Sequence, residues 1–305
     1  MAQEPITTHD PWTIGRLLTW TTRHFEGHAV DEPRLSAEIL LAHALDCRRI
    51  ELYTRFNDDP GDEIRSAFRE LVRAAAAQTP IAYLVGHREF YSLDFNVTTD
   101  VLIPRPETET LVERALQILN NRPSGAGGGG EFTLLDMGTG SGCISVAFLV
   151  HATRARAVAT DISQPALDVA AGNAERHGVA ERIAFVQADR LQLPPGQVPP
   201  GGFNLILSNP PYVADSDLDS LPPNVRGHEP MRALSAGPDG LTYFKSLAAG
   251  GRGLLQPDGV VLVEIGAGQA EAVRDVFAAA GGYRPAGTYR SAGDSHDRVL
   301  HFTVL

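Results

Sequence analysis

From Phe132 onward, apolar runs with the length of strands alternate with stretches whose apolar spacing is helical. The predicted strands are 132–137, 155–160, 182–188, 203–208 and 260–265, and the predicted helices are 143–152, 164–177, 239–255 and 268–280. Apolar strands separated by helices indicate a parallel sheet that is covered on both faces. Two last strands, 283–290 and 298–304, follow one another directly, which predicts an antiparallel end to the sheet. We therefore predict an α/β fold with a doubly wound, mostly parallel sheet closed by an antiparallel strand.

The residues before this region predict a small helical bundle. Apolar residues between Ile14 and Phe25 recur every three or four positions, Pro33 can open a second helix, and a third apolar stripe runs from Ile64 to Ala75. Pro80 is expected to end the third helix. A chain of 305 residues has room for two domains. The predicted organisation is a helical domain at 1–79, a linker at 80–104 and a larger domain at 105–305.

The predicted linker has the pattern of a β-hairpin that joins the two domains. Residues 89–97 are rich in aromatic side chains and partly alternate, and Val101-Leu102-Ile103 follows a Thr-Thr-Asp break. A helix is predicted to start after Pro106 and to run to about Asn120. The Gly-rich segment 124–130 predicts a flexible loop.

A glycine-rich turn, 136–142 (DMGTGSG), separates the first strand of the sheet from the helix that follows it. Its Gly-x-Gly-x-Gly spacing differs from that of dinucleotide-binding turns, and it lacks the lysine of a P-loop. Glycines allow a tight turn and a close approach of the backbone to a ligand. The start of the next helix offers free N–H groups. This context favours a ligand-binding turn over one that only connects two elements.

Two acidic residues stand at the ends of the next two strands. Asp161 can accept hydrogen bonds from both hydroxyls of a ribose, and the alternative is that Asp161 or Ser163 caps the helix opened by Pro165. Asp189 can contact an adenine amino group, and the alternative is ordinary turn chemistry at a strand end. The carboxyl ends of parallel strands share one edge of a sheet, so both acids are expected near the same crevice.

The segment Asn209-Pro210-Pro211-Tyr212 follows another predicted strand and carries the strongest chemical signal. Two prolines fix the backbone as it leaves the sheet. The side-chain oxygen of Asn209 and the carbonyl of Pro210 can then accept both hydrogens of a planar –NH2 group, and Tyr212 can add an aromatic wall. Such a site suits an amide or an exocyclic amine. A rigid turn without a ligand is the alternative.

Together these residues resemble class I S-adenosylmethionine-dependent methyltransferases that modify a planar nitrogen. Further segments resemble one family, the release-factor glutamine methyltransferases of the PrmC/HemK type, over nearly the whole chain. These segments are RLSAEILLAHAL (34–45), PIAYLVG (80–86), REF (88–90), LIPRPETE (102–109), Glu229-Pro230, Asp239-Gly240-Leu241, Glu264-Ile265-Gly266 with Gln269, and Asp297-Arg298-Val299. The Asn-Pro-Pro-Tyr segment alone is shared with DNA adenine methyltransferases.

The resemblance implies a role for each site residue. The methionine part of S-adenosylmethionine would lie against Asp136, Gly138, Thr139, Gly140, Ser141 and Gly142, its ribose against Asp161, and its adenine against Asp189 and Arg190. Asn209, which would also contact the cofactor, would bind the acceptor together with Pro210, Pro211 and Tyr212. The implied acceptor is the glutamine of the Gly-Gly-Gln motif in class 1 peptide chain release factors. The helical domain would contact the release factor elsewhere.

Three residues depart from the family's pattern, and two others have two possible roles. Arg190 stands where many members have an aromatic residue, although a guanidinium plane can also stack on a base. His228 and His296 replace an aromatic and a small residue, respectively. Arg105 and Glu107 are expected either to line the site or to form a structural ion pair.

The acidic composition, with a net charge of −11, disfavours a long nucleic acid as the main partner. The alternative reading, an N6-adenine methyltransferase acting on DNA or RNA, is weakened for that reason. A cofactor-binding module without activity is the third reading, which the intact 209–212 segment disfavours. The sequence also leads us to expect a cytoplasmic monomer, no membrane association and no metal: His24 and His28 share a helix face without a third ligand, and Cys143 is expected to be a buried residue.

Overall fold

The structure is a computed structural model that describes residues 11–121, 131–291, 293 and 295–305. These residues form two compact units. The first ends at Gly86 and also includes Pro223–His228, and the second consists of His87–Pro222 and Glu229–Leu305. The loop predicted at 124–130 and the first ten residues of the predicted helical domain lie outside the described residues.

The first unit is helical, as its apolar spacing predicts. Its helices are α1 (Ile14–Glu26), α2 (Pro33–Ala44), α3 (Glu51–Thr54), α4 (Asp62–Ala76) and α5 (Ile81–Val85). Thr13 caps α1 by accepting a hydrogen bond from the Arg16 backbone N–H, and Pro33 opens α2. The buried side chains of the apolar stripes, among them Leu18, Leu40 and Phe68, form one core. None of the helices among the described residues has the length and apolar character needed to cross a membrane.

The second unit alternates strands and helices after an initial hairpin. Its elements are β1 (His87–Phe90), β2 (Leu93–Asn96), α6 (Glu109–Asn120), β3 (Phe132–Met137), α7 (Cys143–His151), β4 (Ala155–Asp161), α8 (Gln164–Arg176), β5 (Ile183–Gln187), β6 (Phe203–Ser208), α10 (Thr242–Gly250), β7 (Leu255–Glu264), α11 (Ala270–Ala280), β8 (Tyr283–Arg290) and β9 (Asp297–Val304). The short helix α9 (Pro223–Arg226), which comes between β6 and α10 in the sequence, belongs to the first unit. The predicted strands and helices of the sheet region are all present, with ends that differ by a few residues.

Seven strands form one sheet in the order β5-β4-β3-β6-β7-β9-β8. The first five strands of that order are parallel, whereas β9 pairs antiparallel with both β7 and β8. Neighbouring residues point to opposite faces: Leu134 belongs to one apolar core and Leu135 to the other. The predicted doubly wound sheet with an antiparallel end is confirmed.

The hairpin of β1 and β2 turns at Tyr91 and Ser92, before the Thr-Thr-Asp break at 98–100, and residues 101–103 form no strand. Both turn residues have positive φ angles, 52° and 58°, which usually require Gly or Asn. Here the Tyr91 backbone N–H donates to Glu109 Oε1 at 2.8 Å, and its ring packs edge-on against His151. These long-range contacts hold a turn that the local sequence does not signal.

Candidate active site

A pocket opens at the carboxyl ends of β3, β4 and β6, where the strand order reverses on the two sides of β3. This switch point is where open α/β sheets bind ligands. The pocket encloses about 1010 Å³ of space that no protein atom fills, part of it open to solvent. Its lining includes Pro104, Arg105, Thr108, Gly138, Thr139, Gly140, Ser141, Asp161, Ile162, Asp189, Arg190, Asn209, Pro210, Pro211, Arg232 and Tyr243.

The glycine turn between β3 and α7 lies along one wall of this pocket. Gly138 and Gly140 have positive φ angles of 76° and 54°, and a Cβ atom at either position would meet no atom within 4 Å. The turn is held from below because the backbone N–H groups of Gly138 and Thr139 donate to the Thr160 carbonyl. Gly142 serves packing instead, since a Cβ there would lie 3.0 Å from the Ala170 Cβ on α8. The turn is therefore a backbone cradle with space above it.

Asp136 lies beneath the cradle and does not belong to the pocket lining. Its carboxylate is fully buried, and Oδ2 accepts a hydrogen bond from the Thr139 hydroxyl at 2.7 Å. Burial raises the pKa of Asp136 to about 6, although the hydrogen bond from Thr139 opposes that rise. Of the residues predicted to contact the cofactor, Asp136 is thus placed to support the turn from within.

Asp161 ends β4 and faces the pocket with both carboxylate oxygens engaged. Oδ2 accepts from the Gly140 backbone N–H at 3.0 Å, and Oδ1 accepts from the Ser163 N–H at 2.9 Å. The carboxylate therefore ties the glycine turn to the start of α8. Each oxygen has a second lone pair, so these bonds are compatible with a further donor from the pocket side.

Asp189 and Arg190 form a two-pronged ion pair at the end of the neighbouring strand. Arg190 Nε lies 2.8 Å from Asp189 Oδ1, and its Nη2 lies 3.0 Å from Oδ2. Arg190 adopts a positive φ of 55°, and its hydrogen bonds lower the pKa of the Asp189 carboxyl. Both side chains line the pocket, and each is already paired with the other.

Asn209 follows β6 directly, and its side chain is held by a residue from a distant part of the sequence. Asn209 Nδ2 donates to Thr108 Oγ1 at 3.0 Å, and Thr108 is buried at the start of α6. Within the described residues, Asn209 Oδ1 accepts no hydrogen bond. Asn209, Pro210 and Pro211 line the pocket.

Tyr212 lies behind the pocket lining, where it packs against the apolar core of one sheet face. Burial raises the pKa of its hydroxyl to about 12. Gln269 bridges two segments, since its Nε2 donates to the Tyr212 carbonyl at 3.0 Å and its Oε1 accepts from the Gly266 N–H at 2.9 Å. Gly240 has no space for a side chain, because a Cβ there would lie 2.7 Å from the same carbonyl. Gly240 and Gln269 therefore hold the 209–212 segment in place and do not line the pocket.

Arg105 takes part in a structural ion pair and also lines the pocket. Its Nη2 pairs with Glu229 Oε1, and Glu229 Oε2 accepts a hydrogen bond from the Ile103 backbone N–H at 3.2 Å. The Glu229 side chain is only 1% exposed, so the pair is desolvated on the acidic side. Arg105 therefore both lines the pocket and forms a structural ion pair, and its partner in that pair is Glu229, whereas the expectation named Arg105 together with Glu107.

Ile162, Tyr243 and Thr108 are among the pocket residues that the sequence did not identify. Ile162 is an apolar side chain that remains 54% exposed although it lies beside Asp161, and Tyr243 projects into the pocket from α10. An apolar residue directly after a strand-end acid is a local signal that could have identified Ile162. Thr108 and Tyr243 have no such signal, because their neighbours in the pocket come from distant segments.

Cys143 is buried, and burial raises the pKa of its thiol to about 12, so it is not a reactive thiol. His24 and His28 lie against each other on α1 and the turn after it, with ring centres 4.1 Å apart. Across the part of the chain that the structure describes, no three His, Cys, Asp or Glu side chains are grouped to hold a metal.

Glu264 ends β7 next to Thr108, and burial raises the pKa of its carboxyl to about 7. A hydrogen bond with Thr108 and the charges of Arg298 and Arg105 oppose this rise, whereas the charge of Glu107 adds to it. Glu264 holds a proton in the folded state at pH values where the unfolded chain has lost it. Its contribution to stability is therefore full below about pH 4.5 and is lost as the pH rises through about 7.

We expect Glu264→Gln to remove this part of the pH dependence, because the amide does not titrate. Between pH 5 and pH 8, the free energy of unfolding of the wild type should fall by about 3 kcal/mol more than that of the variant. Urea unfolding followed by circular dichroism at the two pH values measures both. Equal pH dependence in the two proteins would show that Glu264 does not titrate in this range.

Two family models match separate parts of the chain. Residues 16–86 match the model of the PrmC N-terminal domain, and residues 117–221 match that of the methyltransferase small domain. The chain is 42% identical to the release factor glutamine methyltransferase of Rhodopirellula baltica, over 95% of this chain and 96% of that one. It is 40% identical to the enzyme of the same name from Chlorobaculum tepidum, over 87% and 90% of the two chains.

Among solved structures, the catalytic domain of hMettl16 in complex with an RNA hairpin has a TM-score of 0.52 to this chain. The two are 14% identical over 77% of this chain and 80% of that one, so the likeness concerns the fold alone. The relatives that match over nearly the full length support the glutamine reading over the adenine alternative. The chain belongs to the release factor glutamine methyltransferase family.

Proposed function

We propose that this protein transfers a methyl group from S-adenosylmethionine to the side-chain amide nitrogen of glutamine in the Gly-Gly-Gln motif of class 1 peptide chain release factors. The observation that carries the proposal is the orientation of Asn209. Its Nδ2 is bonded to Thr108, so its Oδ1 is left to accept a hydrogen bond from a ligand in the pocket. With the Pro210 carbonyl, it offers two acceptors to one planar –NH2 group.

The backbone of the glycine turn makes the pocket suitable for S-adenosylmethionine. The open space above Gly138 and Gly140 admits a ligand against the backbone, and the turn meets the start of α7. Asp161 would accept from the ribose hydroxyls, and Asp189 with Arg190 would flank the adenine, with Ile162 and Tyr243 as apolar and aromatic walls. When bound, the cofactor supplies an electrophilic methyl group on a positively charged sulfur.

The chain's own residues then act by positioning. An amide nitrogen is a weak nucleophile because its lone pair is delocalised into the carbonyl. Asn209 and Pro210 would hold the two –NH2 hydrogens so that the remaining lone pair faces the methyl group, and Pro211 would close one side. Tyr212 would support the 209–212 segment from behind the pocket lining, where Gln269 donates a hydrogen bond to the Tyr212 backbone carbonyl. Catalysis would come from orientation and electrostatic stabilisation, without a dedicated base.

The proposed protein partner is consistent with the charge of the chain. A release factor works on RNA and is expected to present basic surface, whereas this chain has a net charge of −11. We also propose that the helical unit contacts the release factor outside the Gly-Gly-Gln loop, and that the protein acts in the cytoplasm as a monomer without binding nucleic acid directly.

Methyl transfer from labelled S-adenosylmethionine tests the proposed function. We expect label in an unmodified release factor, and background levels in its Gly-Gly-Gln glutamine→alanine variant and in duplex and single-stranded DNA. Label in DNA would contradict the proposal and favour the adenine alternative. Equal label in the alanine variant would place the methyl group on another residue and would contradict it as well.

A further inference from the structure

Asn173 is a fully buried polar residue on α8, and its side-chain amide bonds two separate segments of the second unit. Its Oδ1 accepts a hydrogen bond from the Asn96 backbone N–H at 2.8 Å, and its Nδ2 donates to the Asn96 carbonyl at 3.0 Å. The same Nδ2 donates to the Ser141 carbonyl at 2.9 Å. One side chain therefore joins the end of the hairpin, at β2, to the glycine turn between β3 and α7.

The backbone groups around Asn173 leave its amide only one orientation. A backbone N–H can only donate and a carbonyl can only accept. Oδ1 must therefore face the Asn96 N–H, and Nδ2, which has two hydrogens, must face the two carbonyls. An amide turned the other way would break all three hydrogen bonds at a buried position, where unpaired polar groups are costly.

The bond to Ser141 fixes one peptide group of the glycine turn. The carbonyl of this peptide belongs to Ser141, and its N–H belongs to Gly142 and donates to the Thr139 carbonyl at 2.8 Å. Gly142 has a positive φ of 79°, and a glycine also tolerates the backbone angles that a reversed peptide would need. The direction of the Ser141 carbonyl is therefore set by these hydrogen bonds and not by the local sterics of Gly142.

The bonds to Asn96 connect the glycine turn with a second wall of the pocket. Asn96 itself lies outside the pocket lining, but the chain reaches that lining shortly afterwards, at Asp100, and contributes to it as far as Thr108. Ser141 lines the pocket from the glycine turn. Asn173 therefore bonds both to the glycine turn and to the start of the 97–108 segment, so it sets the spacing between them.

We propose that Asn173 is a positioning residue that holds the glycine turn in its cofactor-binding shape and couples that turn to the hairpin. This inference rests on the part of the proposed function that places S-adenosylmethionine against the glycine turn. Asn173 acts on the cofactor through the Ser141 peptide, because Asn173 does not line the pocket. Coupling between two sites is reciprocal, so a ligand that restrains the glycine turn also restrains the end of the hairpin at Asn96.

Amide hydrogen exchange of the wild type tests the coupling without any substitution. At saturating S-adenosylhomocysteine, the product that methyl transfer leaves, we expect exchange of the Asn96 N–H to slow at least about 5-fold more than exchange of the Phe95 N–H. Phe95 is the neighbouring residue and pairs with Arg88 within the hairpin. Equal slowing of the two amides would mean that the ligand only stabilises the folded unit as a whole, and would overturn the coupling.

Two substitutions at position 173 test the effect on the cofactor. Asn173→Ala removes all three hydrogen bonds, and we expect the Kd of S-adenosylmethionine, measured by calorimetry, to rise about 10-fold, because the Ser141 carbonyl loses its donor. Asn173→Asp keeps the volume and the acceptor for the Asn96 N–H but sets a carboxylate against two carbonyls, so its Kd should rise at least as much. Circular dichroism checks that each variant is folded, and the wild-type exchange measurement decides the question if neither is.

Arg176→Met is the matched control. Arg176 lies on the same helix and also holds the hairpin, since its Nη1 donates to Asn96 Oδ1 at 2.7 Å and its Nη2 pairs with Asp94. Its replacement leaves the bond between Asn173 and Ser141 in place. The Kd of S-adenosylmethionine should therefore stay within about 2-fold of the wild type. An equal rise in Arg176→Met and Asn173→Ala would mean that a loosened hairpin is the cause, and would overturn the proposal.

The outcomes separate this inference from the proposed function. If the wild type binds S-adenosylmethionine but does not methylate the release factor, the proposed acceptor is wrong, while the Kd and exchange measurements still decide the role of Asn173. If the wild type methylates the release factor and folded Asn173→Ala keeps the wild-type Kd, the function stands and the positioning role of Asn173 is overturned.

Discussion

Replacing Asn209 with alanine is expected to lower kcat for methyl transfer to the release factor about 1000-fold, the effect of removing a preorganised group at a reacting centre. Alanine removes the side-chain oxygen that would orient the acceptor –NH2 group. It also leaves the buried Thr108 hydroxyl without the donor that it meets in the wild type. Single-turnover transfer of label from S-adenosylmethionine measures the loss directly.

The control for this variant is Asn120→Ala, at the exposed end of α6, which should keep wild-type activity. The affinity for S-adenosylmethionine, measured by calorimetry, should change less than about 10-fold in Asn209→Ala, since the cradle of Gly138 and Gly140 remains intact. Methyl transfer within about 5-fold of the wild type would show that Asn209 does not orient the acceptor.

The sheet could be predicted from the sequence because its signals are local. The strand at Phe132–Met137 has the predicted bounds, since a buried parallel strand is a mostly apolar run, and this one is followed by a glycine turn. The same holds for Phe203–Ser208, which ends at the prolines of the 209–212 segment. The parts of the pocket that directly follow a strand end could therefore be predicted from the sequence.

The interior of the site could not be predicted because its partners are far apart in the chain. Asn209 and Thr108 are separated by 101 positions, and Glu229 and Arg105 by 124 positions. Neither pair leaves a periodic pattern, because each depends on two loops brought together by the sheet. Tyr212 illustrates the same limit: an aromatic residue after two prolines suggests a wall, but the contacts of its backbone with Gln269 place it behind the pocket.

The Arg105–Glu229 pair gives the second large expected effect. We expect Arg105→Met to lower the free energy of unfolding by about 3 kcal/mol at pH 7, because it leaves the Glu229 carboxylate buried without its counter-charge. Methionine keeps much of the apolar length of the arginine side chain, so the loss reports mainly on the charge. One hydrogen bond, from the Ile103 N–H, would remain to that carboxylate. Urea unfolding followed by circular dichroism measures the change.

Two further variants decide whether the buried charge is the cause. Arg290→Met breaks a surface ion pair with Asp297, in which the arginine side chain is 64% exposed, and should cost less than about 1 kcal/mol. The double variant Arg105→Met, Glu229→Gln removes the stranded charge and should recover more than about half of the loss. If the double variant is no more stable than Arg105→Met, the cost comes from lost packing around Arg105. A change below about 1 kcal/mol in Arg105→Met would mean that the pair does not hold the 103–105 segment in place beside the pocket.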